Sequence, residues 1–367
     1  MRPVCDGHKI SRAKLSYLID ATAAPVCIIA PISSWAAAVA GFARGAGAEN
    51  GISLFVSAIP YNFYALLTIL MMFFLAFTNL DYGPMAKHEF NAVNNGDIFT
   101  TGEHACEQED EPNPKGKVID LVFPIIVLII CCVIGMIYSG GFFSGESFIN
   151  AFSNSDASVG LALGAFFAMI ITVIYFLSRR IMKFGDIMNG LPEGFKAMVP
   201  AIMILCCAWT LKAMTDSLGA KIFISQLIEN TAGSFEKFLP AIIFAIAVGL
   251  SFATGTSWGT FGILIPIVLS VFTAGEPITI VAISACMAGA VCGDHCSPIS
   301  DTTIMASAGA QCDHLNHVST QLPYALTVAC VSFISYVIAG FVPNWHIVLP
   351  VAIVLMLGTL LVIHKIS

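Results

Sequence analysis

Long apolar runs follow one another along almost the whole of this chain, and they constrain its fold more than any other feature. A helix needs about 20 consecutive apolar residues to cross about 30 Å of hydrocarbon. Several of the later runs are shorter than that, and glycine and proline interrupt them, a pattern typical of discontinuous or re-entrant helices. The predicted membrane segments are residues 21–43, 53–80, 118–139, 159–178, 197–214, 239–253, 261–273, 277–291, 318–341 and 347–363.

The composition points to the same class of protein. Hydrophobic residues make up 57% of the 367 residues and charged residues only 11%, and the mean hydropathy is +0.86. Soluble domains carry about 25% charged residues. We therefore expect an all-α polytopic membrane protein whose surroundings are a lipid bilayer, with no role in binding nucleic acid.

Lysine and arginine are unevenly distributed among the connecting segments, and cytoplasmic loops of membrane proteins are enriched in both. They occur in the leader 1–19, in the acidic segment 81–117 and around Arg179, but not in residues 140–157. The first three regions are therefore predicted to face the cytoplasm. The leader is polar over too long a stretch to be a signal peptide.

These patterns divide the chain into five predicted parts. Residues 1–80 hold the basic leader and two membrane segments of a first repeat, and residues 81–117 form a polar, acidic cytoplasmic loop. Residues 118–237 form scaffold-like membrane segments. Residues 238–310 form a pair of ion-binding hairpins of a second repeat, and residues 311–367 form the last membrane segments.

The stretch "GDHCSPISDTTI", from Gly293 to Ile304, places two aspartates between apolar runs. Pro298 lacks a backbone donor and clashes with the preceding turn, so we expect the helix to break near 293–298 and a new helix to begin around Asp301. Ionisable groups inside membrane segments usually mark ion or proton paths. The alternatives are a structural ion pair or an aqueous loop for Asp294, and a helix-capping role for Asp301.

A second stretch, "SFATGTSWGTFGILIP" from Ser251 to Pro266, combines hydroxyl groups with glycine at membrane depth. Its glycines allow the backbone to unwind, and irregular backbone at this depth is tolerated where it is buried in protein or lines a wet cavity. Thr256 and Ser257 offer oxygen ligands. The alternative is an ordinary helix contact through small residues.

Together the two stretches predict a cation cage. Sodium is a hard cation that prefers oxygen ligands, so Asp294 and Asp301 are the expected Na⁺ carboxylates, with hydroxyl and carbonyl oxygens around them. A carboxylate away from water also binds a proton more readily. A site that holds either H⁺ or Na⁺, but not both, is the physical basis of antiport. His295 is a weaker candidate. An imidazole can titrate near neutrality, and the alternative is a hydrogen-bonded neighbour that takes no part in transport.

Twelve cysteines are present, without a C-x-x-C pair, and most lie in apolar runs where cysteine acts as a small hydrophobe. Cys292, His295 and Cys296 are close in sequence. They fall short of a transition-metal site, which needs three or four committed ligands. We expect no cofactor, with Na⁺ and H⁺ as transported ions.

Four motifs together resemble the NhaC-type Na⁺/H⁺ antiporter family. They are "RPVCDGHKISRAKLSYLIDATAAPVCIIAPISSW", "DYGPM", "SFATGTSWGTFGILIPI" and "GDHCSPISDTT". The resemblance implies an ion-transporter fold with inverted repeats and paired hairpins in a bacterial cytoplasmic membrane. It also implies exchange of Na⁺ for H⁺, or the use of such gradients to move small organic acids such as malate and lactate. The implied ion-site residues are Asp294, Ser297, Asp301, Thr302 and Thr303, with Thr256, Ser257 and Trp258 from the facing hairpin and Asp20 and Thr22 from the first-half motif.

Members of this family extend further at the N-terminus. We therefore expect the chain to correspond to the C-terminal part of the family pattern. In that case it is a fragment, or it works with a partner that supplies the earlier segments, and a homo-oligomer is a further expectation.

An intramembrane aspartyl protease is the enzyme alternative. Such enzymes use a Y-D pair and a G-x-G-D motif, but here Ile19 precedes Asp20 and Val291 stands at the first glycine position before Asp294. We therefore predict a transporter and not an enzyme. The alternative within transporters is an organic-acid exchanger coupled to Na⁺ or H⁺.

Overall fold

All regular structure in the described part of the chain is helical. The structure is a computed structural model, and it describes residues 2–30, 33, 35–36, 39, 51–100, 116–153, 155–219, 226, 236–272 and 276–366. Its helices are α1 Arg2–Gly7, α2 Arg12–Cys27, α3 Gly51–Ala58, α4 Phe63–Thr78, α5 Pro84–Asn95, α6 Val118–Ser139, α7 Phe148–Ser153, α8 Ala157–Ser178, α9 Phe184–Ser217, α10 Leu239–Thr254, α11 Ser257–Val271, α12 Pro277–Cys296, α13 Asp301–Ala310, α14 His314–Phe341 and α15 Trp345–Ile366. Short 3₁₀ turns lie at Ile59–Tyr61, Phe142–Ser144 and Glu236–Phe238.

The predicted class, an all-α polytopic membrane protein, is confirmed. Among the described residues, α6, α8, α12, α14 and α15 are long and apolar enough to cross a membrane. A bent pair, Ser53–Tyr61 and Phe63–Thr78, forms a sixth candidate with a 49° bend. The predicted segment 118–139 coincides with α6, whereas most of the second half of the predicted segment 21–43 lies outside the described residues.

The chain divides into two compact units, and the smaller one comprises Ile32–Gly41 and Ala105–Val199. In this unit α6 and α8 pack closely through glycine. A Cβ atom on Gly135 would lie 2.2 Å from the carbonyl oxygen of Gly160, so only glycine permits this approach. At one end of the pair, Arg179 Nη1 lies 2.5 Å from Asp120 Oδ1. The remaining faces of these two helices are apolar and exposed, as expected for contact with lipid.

The larger unit comprises Met1–Pro31, Phe42–His104 and Pro200–Ser367, and α12 lies at its centre. Buried residues make up 83% of the apolar window of α12, compared with 22% for α15. Helices α10, α11, α14 and α4 all contact α12. The polar positions of α12 therefore lie away from lipid.

Helix α2 begins at Arg12, well before the predicted apolar segment 21–43. Arg12 Nη1 donates to the carbonyl oxygen of Ala310, 3.0 Å away, and Arg12 Nη2 pairs with Asp6. Lys14 Nζ lies 2.9 Å from Asp81 Oδ2 and 3.5 Å from Glu89 Oε2. Because these partners pair both cations with carboxylates, the end of the predicted basic leader forms part of a packed helix. The predicted acidic loop likewise contains α5, and its residues 101–115 lie outside the described part.

Candidate ion-binding site

Two interrupted helices form the candidate site. Helix α10 ends at Thr254, Gly255 adopts a left-handed conformation with φ of +62°, and Thr256 caps the start of α11. Helix α12 ends at Cys296, and Ser300 caps the start of α13 at Asp301. The prediction of a break near 293–298 with a restart at Asp301 is confirmed. Pro298 lies in the break, where its missing backbone donor is tolerated.

The two breaks contact each other. A Cβ atom on Gly255 would lie 2.5 Å from the carbonyl oxygen of Ile299, which is closer than real Cβ contacts allow. Ser297 Oγ donates to the carbonyl oxygen of Phe252, 2.8 Å away. The break after α12 therefore lies against both the end of α10 and the break that follows it.

Close packing of α10 on α12 holds this arrangement in register. A Cβ atom on Gly293 would lie 2.2 Å from the carbonyl oxygen of Val248. Ser251 Oγ of α10 donates to the carbonyl oxygen of Ala290 across the contact, over 2.6 Å. Glycine at 293 thus brings the backbone of α10 next to the position that precedes Asp294.

The place where the break at residues 255–256 meets the break at residues 297–300 is called the crossing. Asp294 lies at the crossing and is 1% exposed. Its Oδ2 accepts a hydrogen bond of 2.6 Å from Ser257 Oγ, and the Ser300 hydroxyl is a further neighbour. Its Oδ1 is buried without a hydrogen-bond partner among the described residues. No lysine or arginine in the described part forms an ion pair with it. Since an ionised carboxylate is costly to bury unpaired, Asp294 is suited to binding a proton or a metal cation.

The other predicted cage residues differ in burial and in their hydrogen bonds. Thr303 is fully buried, and its Oγ1 lacks a partner among the described residues. Thr302 Oγ1 lies 3.0 Å from Ser300 Oγ. Asp301 is exposed and its Oδ1 accepts from the backbone N–H of Thr302, over 2.8 Å. Trp258 is 38% exposed.

Asp301 therefore has the contacts of a residue at a helix start. It lies close enough to Asp294 to act on it electrostatically. Its role as a second Na⁺ ligand stays a prediction. Ser300, which caps α13 and neighbours Asp294, was not among the residues selected from the sequence, although a Ser one position before a predicted helix start is a common capping signal.

A second polar cluster surrounds Asp20, which is fully buried in α2. Asp20 Oδ2 accepts a 2.9 Å hydrogen bond from Gln321 Nε2 and lies 3.3 Å from His317 Nε2 and 3.9 Å from His295 Nε2. His295 Nδ1 lies 2.7 Å from the Tyr64 hydroxyl. Gln321 Nε2 also donates to the carbonyl oxygen of His295, one of the last carbonyls of α12, which have no partner within the helix.

The structure thus brings together two of the three secondary candidates, Asp20 and His295. Thr22 does not join them, because it is exposed and its hydroxyl donates to the carbonyl of Leu18 on its own helix, over 2.6 Å. His317 and Gln321 were missed. Their spacing of four residues places both on one face of α14, which is a signal that the sequence carries.

The chemistry of the donors favours a hard cation. In the described part of the chain no group of three or more His, Cys, Asp or Glu side chains is arranged to hold a metal ion. Cys292 and Cys296 are buried free thiols. The polar atoms at the crossing are carboxylate, hydroxyl and carbonyl oxygens, which suit an alkali cation better than a transition metal.

Comparison with known proteins identifies relatives over most of the chain. The family model described as "Na+/H+ antiporter family" matches residues 2–341. An uncharacterized protein of Haemophilus influenzae is 40% identical over 93% of this chain and 66% of its own length. The malate-2H(+)/Na(+)-lactate antiporter of Bacillus subtilis is 27% identical over 49% of this chain and 42% of its own length.

An uncharacterized Na(+)/H(+) antiporter of Haemophilus influenzae is 31% identical over 47% of this chain and 37% of its own length. No solved structure matches the chain. The chain therefore spans less than two-thirds of the length of each of these three relatives.

Proposed function

This chain belongs to the Na⁺/H⁺ antiporter family, and from that premise we propose that it exchanges Na⁺ for H⁺ across a bacterial cytoplasmic membrane. The family consists of transporters and not of enzymes, and antiport is its general activity. Na⁺ and H⁺ are cargo in this proposal, and no cofactor takes part. A homo-oligomer, or a partner that supplies further membrane segments, stays part of the proposal.

One observation carries it: Asp294 is a buried carboxylate with a hydroxyl neighbour and no paired cation among the described residues. Ser257 Oγ donates to Oδ2, so Oδ1 is the atom left for an incoming ligand. A proton on Oδ1 neutralises the carboxylate, and Na⁺ next to Oδ1 does so equally well. Both cannot occupy the same lone pairs, so binding one displaces the other.

Na⁺ needs oxygen ligands beyond one carboxylate, and the residues at the two helix breaks offer candidates. Thr303 Oγ1 is buried and free of hydrogen-bond partners among the described residues. The break before α13 adds the carbonyl group of Ile299, and the last turn of α10 adds that of Phe252, which also accepts from Ser297 Oγ. The C-terminal end of a helix also carries partial negative charge, and α10 and α12 both end here, which favours a cation.

A second candidate function is an organic-acid exchange coupled to Na⁺ or H⁺. The relative from Bacillus subtilis is named a malate-2H(+)/Na(+)-lactate antiporter. The starts of α11 and α13 lie at the same crossing as the ends of α10 and α12. Helix N-termini bind anionic groups, so a carboxylate substrate has a physical basis there.

The test uses inside-out vesicles from a host that lacks its own Na⁺/H⁺ antiporters. After the interior is acidified, Na⁺ is added and a pH-sensitive dye is followed, with Asp294→Asn as the matched control. Na⁺-dependent alkalinisation that disappears in the variant supports the proposal. Equal alkalinisation by the variant contradicts the role of Asp294. A response that requires added malate or lactate favours the organic-acid function.

A further inference from the structure

The smaller unit holds a cavity that the proposed exchange does not use. Its volume is about 410 Å³, and it is lined by α6, α8 and the first part of α9. A volume of this size lies in the usual range for small-molecule sites. Most of the lining side chains are apolar, and they include Leu128 of α6, Met169, Val173 and Phe176 of α8, and Ile187 and Leu191 of α9.

The cavity runs along α8 from the neighbourhood of its last residue, Ser178. Phe176 and Ala165 are the lining residues of α8 that lie nearest to that end and farthest from it. At a rise of 1.5 Å per residue, the cavity extends about 16 Å along the helix. This length is about half of the hydrocarbon core of a bilayer, which is the depth of one leaflet.

Polar contacts at the same end of α8 indicate the level of the membrane surface. The Tyr175 hydroxyl donates to Asp120 Oδ1 over 2.8 Å, and Arg179 pairs with the same oxygen. Tyrosine is enriched where hydrocarbon meets water, and ionised groups are costly deeper in the membrane. On the lipid side, the lining residues Leu128 and Met169 are 43% and 41% exposed. The cavity therefore extends from the membrane surface into hydrocarbon and opens toward lipid.

Two cations adjoin the cavity without a carboxylate partner. Arg180 and Lys183 lie two positions before and one position after Met182, which lines the cavity. Both are exposed, and neither forms an ion pair within the part of the chain that the structure describes. Positive charge therefore stands at the surface end of an apolar cavity.

The carboxylates of this region have structural contacts of their own. Asp120 is engaged with Arg179 and Tyr175. Asp186, which lines the cavity, lies in the first turn of α9, where its Oδ2 accepts from the backbone N–H of Lys183 over 3.2 Å. Negative charge is favourable at that position because of the helix dipole. The Lys183 ammonium group is left for another anion.

We propose that this cavity binds one acyl chain of an anionic phospholipid, and that Arg180 and Lys183 bind the phosphate of its headgroup. The two parts of the lipid match the two parts of the site. The apolar side chains cover an acyl chain over the depth of one leaflet, and the cations attract a negative headgroup at the membrane surface. A zwitterionic phospholipid fits the same cavity but gains less from the cations. The site lies in the smaller unit, and its test does not depend on Na⁺/H⁺ exchange.

The headgroup part is tested by native mass spectrometry of the full chain in a neutral detergent. Phosphatidylglycerol is expected to bind about 30-fold more tightly than phosphatidylcholine with the same acyl chains, because each of two basic residues at a membrane surface contributes about fivefold. The double variant Arg180→Gln, Lys183→Gln is expected to lose this preference. The double variant Lys9→Gln, Lys365→Gln removes two exposed cations from the larger unit as the matched control and is expected to keep it. Equal affinity for both lipids in the unmodified chain, or an equal loss in the control, overturns the proposal.

The acyl-chain part is tested by filling the cavity. Ala165 lines the cavity from an exposed position, so Ala165→Phe places a phenyl group where the acyl chain lies. The affinity for both lipids is expected to fall about tenfold through overpacking. Ala162→Phe, at an exposed position of α8 outside the cavity lining, is the matched control and is expected to bind both lipids as before. Unchanged affinity in Ala165→Phe overturns the role of the cavity.

Other occupants of the cavity are outcomes of the same measurements. A dimer that binds no lipid and dissociates in Ala165→Phe assigns the cavity to a second copy of the chain and overturns the proposal. Displacement of phosphatidylglycerol by inorganic phosphate at equal concentration shows an anion site without an acyl chain and also overturns it. Melting temperatures in the same detergent separate lost binding from lost folding. Should Ala165→Phe fail to fold, Val173→Phe fills the cavity from a second lining position, and the same outcomes decide.

Discussion

Asp294 and Asp20 are both fully buried carboxylates in one unit of the protein, yet their neighbours differ in kind. Asp294 lies at a crossing of two broken helices, with a serine hydroxyl on one oxygen. Asp20 lies in the middle of a continuous helix, with two imidazoles and an amide beside one oxygen. Hydroxyl and carbonyl oxygens suit Na⁺, whereas the imidazole and amide groups beside Asp20 offer hydrogen bonds to its carboxylate. The difference teaches that two carboxylates with the same burial differ in the ligands that their neighbours add.

Loss of the Asp294 charge is the largest expected effect. Asp294→Asn keeps the size of the side chain but cannot release a proton or neutralise Na⁺. Na⁺-dependent proton movement in vesicles is expected to fall to background, while membrane insertion is unchanged. Asp20→Asn leaves the Asp294 site unchanged and is expected to retain Na⁺-dependent proton movement, and this comparison sharpens the contrast. Equal loss in both variants, with both proteins folded, would break it.

The contact between the two helix breaks depends on glycine. Disrupting this contact is expected to reduce transport nearly as much as Asp294→Asn. Gly255→Ala adds a Cβ 2.5 Å from the carbonyl of Ile299 at a φ of +62°. The left-handed conformation alone costs about 1–2 kcal/mol for a residue with a Cβ, and the close contact adds to that. We expect a lower melting temperature in detergent, measured by fluorescence-detected size exclusion, together with reduced exchange.

Gly249→Ala is the matched control on the same helix, because a Cβ there meets nothing within 4 Å. Ala is also the better helix former. Gly249→Ala is therefore expected to melt at the original temperature or slightly above it. A similar fall in melting temperature in both variants would show that the effect of Gly255→Ala does not come from the contact between the two breaks.

Loss of the Ser257 hydroxyl, which donates to Asp294, gives an intermediate effect. Ser257→Ala removes the 2.6 Å hydrogen bond to Oδ2. Hydrogen bonds to charged groups contribute about 1.5–3 kcal/mol, so the apparent KM for Na⁺ is expected to rise about tenfold or more. Ser251→Ala, whose hydroxyl contacts the carbonyl of Ala290 and not the carboxylate, is the control and is expected to change KM far less.

The smallest expected effect is at Thr22, which the sequence motif marks but the fold places on the outside of α2. Thr22→Val removes a hydroxyl that donates to its own helix. Transport rate, apparent KM for Na⁺ and melting temperature are all expected to stay within error of the unmodified chain. A changed KM would place Thr22 in the pathway and weaken the contrast drawn between the two clusters.

Much of the Asp294 site could be predicted from local sequence. Pro298 marks the break of α12, and hydroxyls beside glycine mark the break between α10 and α11. The start of α2 could not be predicted so easily, because Arg12 and Lys14 lower the local hydropathy. Their burial is compensated by partners elsewhere in the chain, and in the case of Arg12 by a carbonyl 298 positions away.

By itself the sequence determined that this chain is helical, lies in a membrane and breaks its helices at polar, glycine- and proline-containing stretches. These properties follow from hydropathy and backbone sterics, which act over a few neighbouring residues. Tertiary structure alone decided that Asp20 contacts His317 and Gln321, which are separated from it by 297 and 301 positions in the sequence. It also decided that Ser257 reaches Asp294 while Asp301 and Thr22 are exposed. The reason is that hydrogen bonds and charge interactions depend on distance in space, which only the packing of α2, α12 and α14 sets.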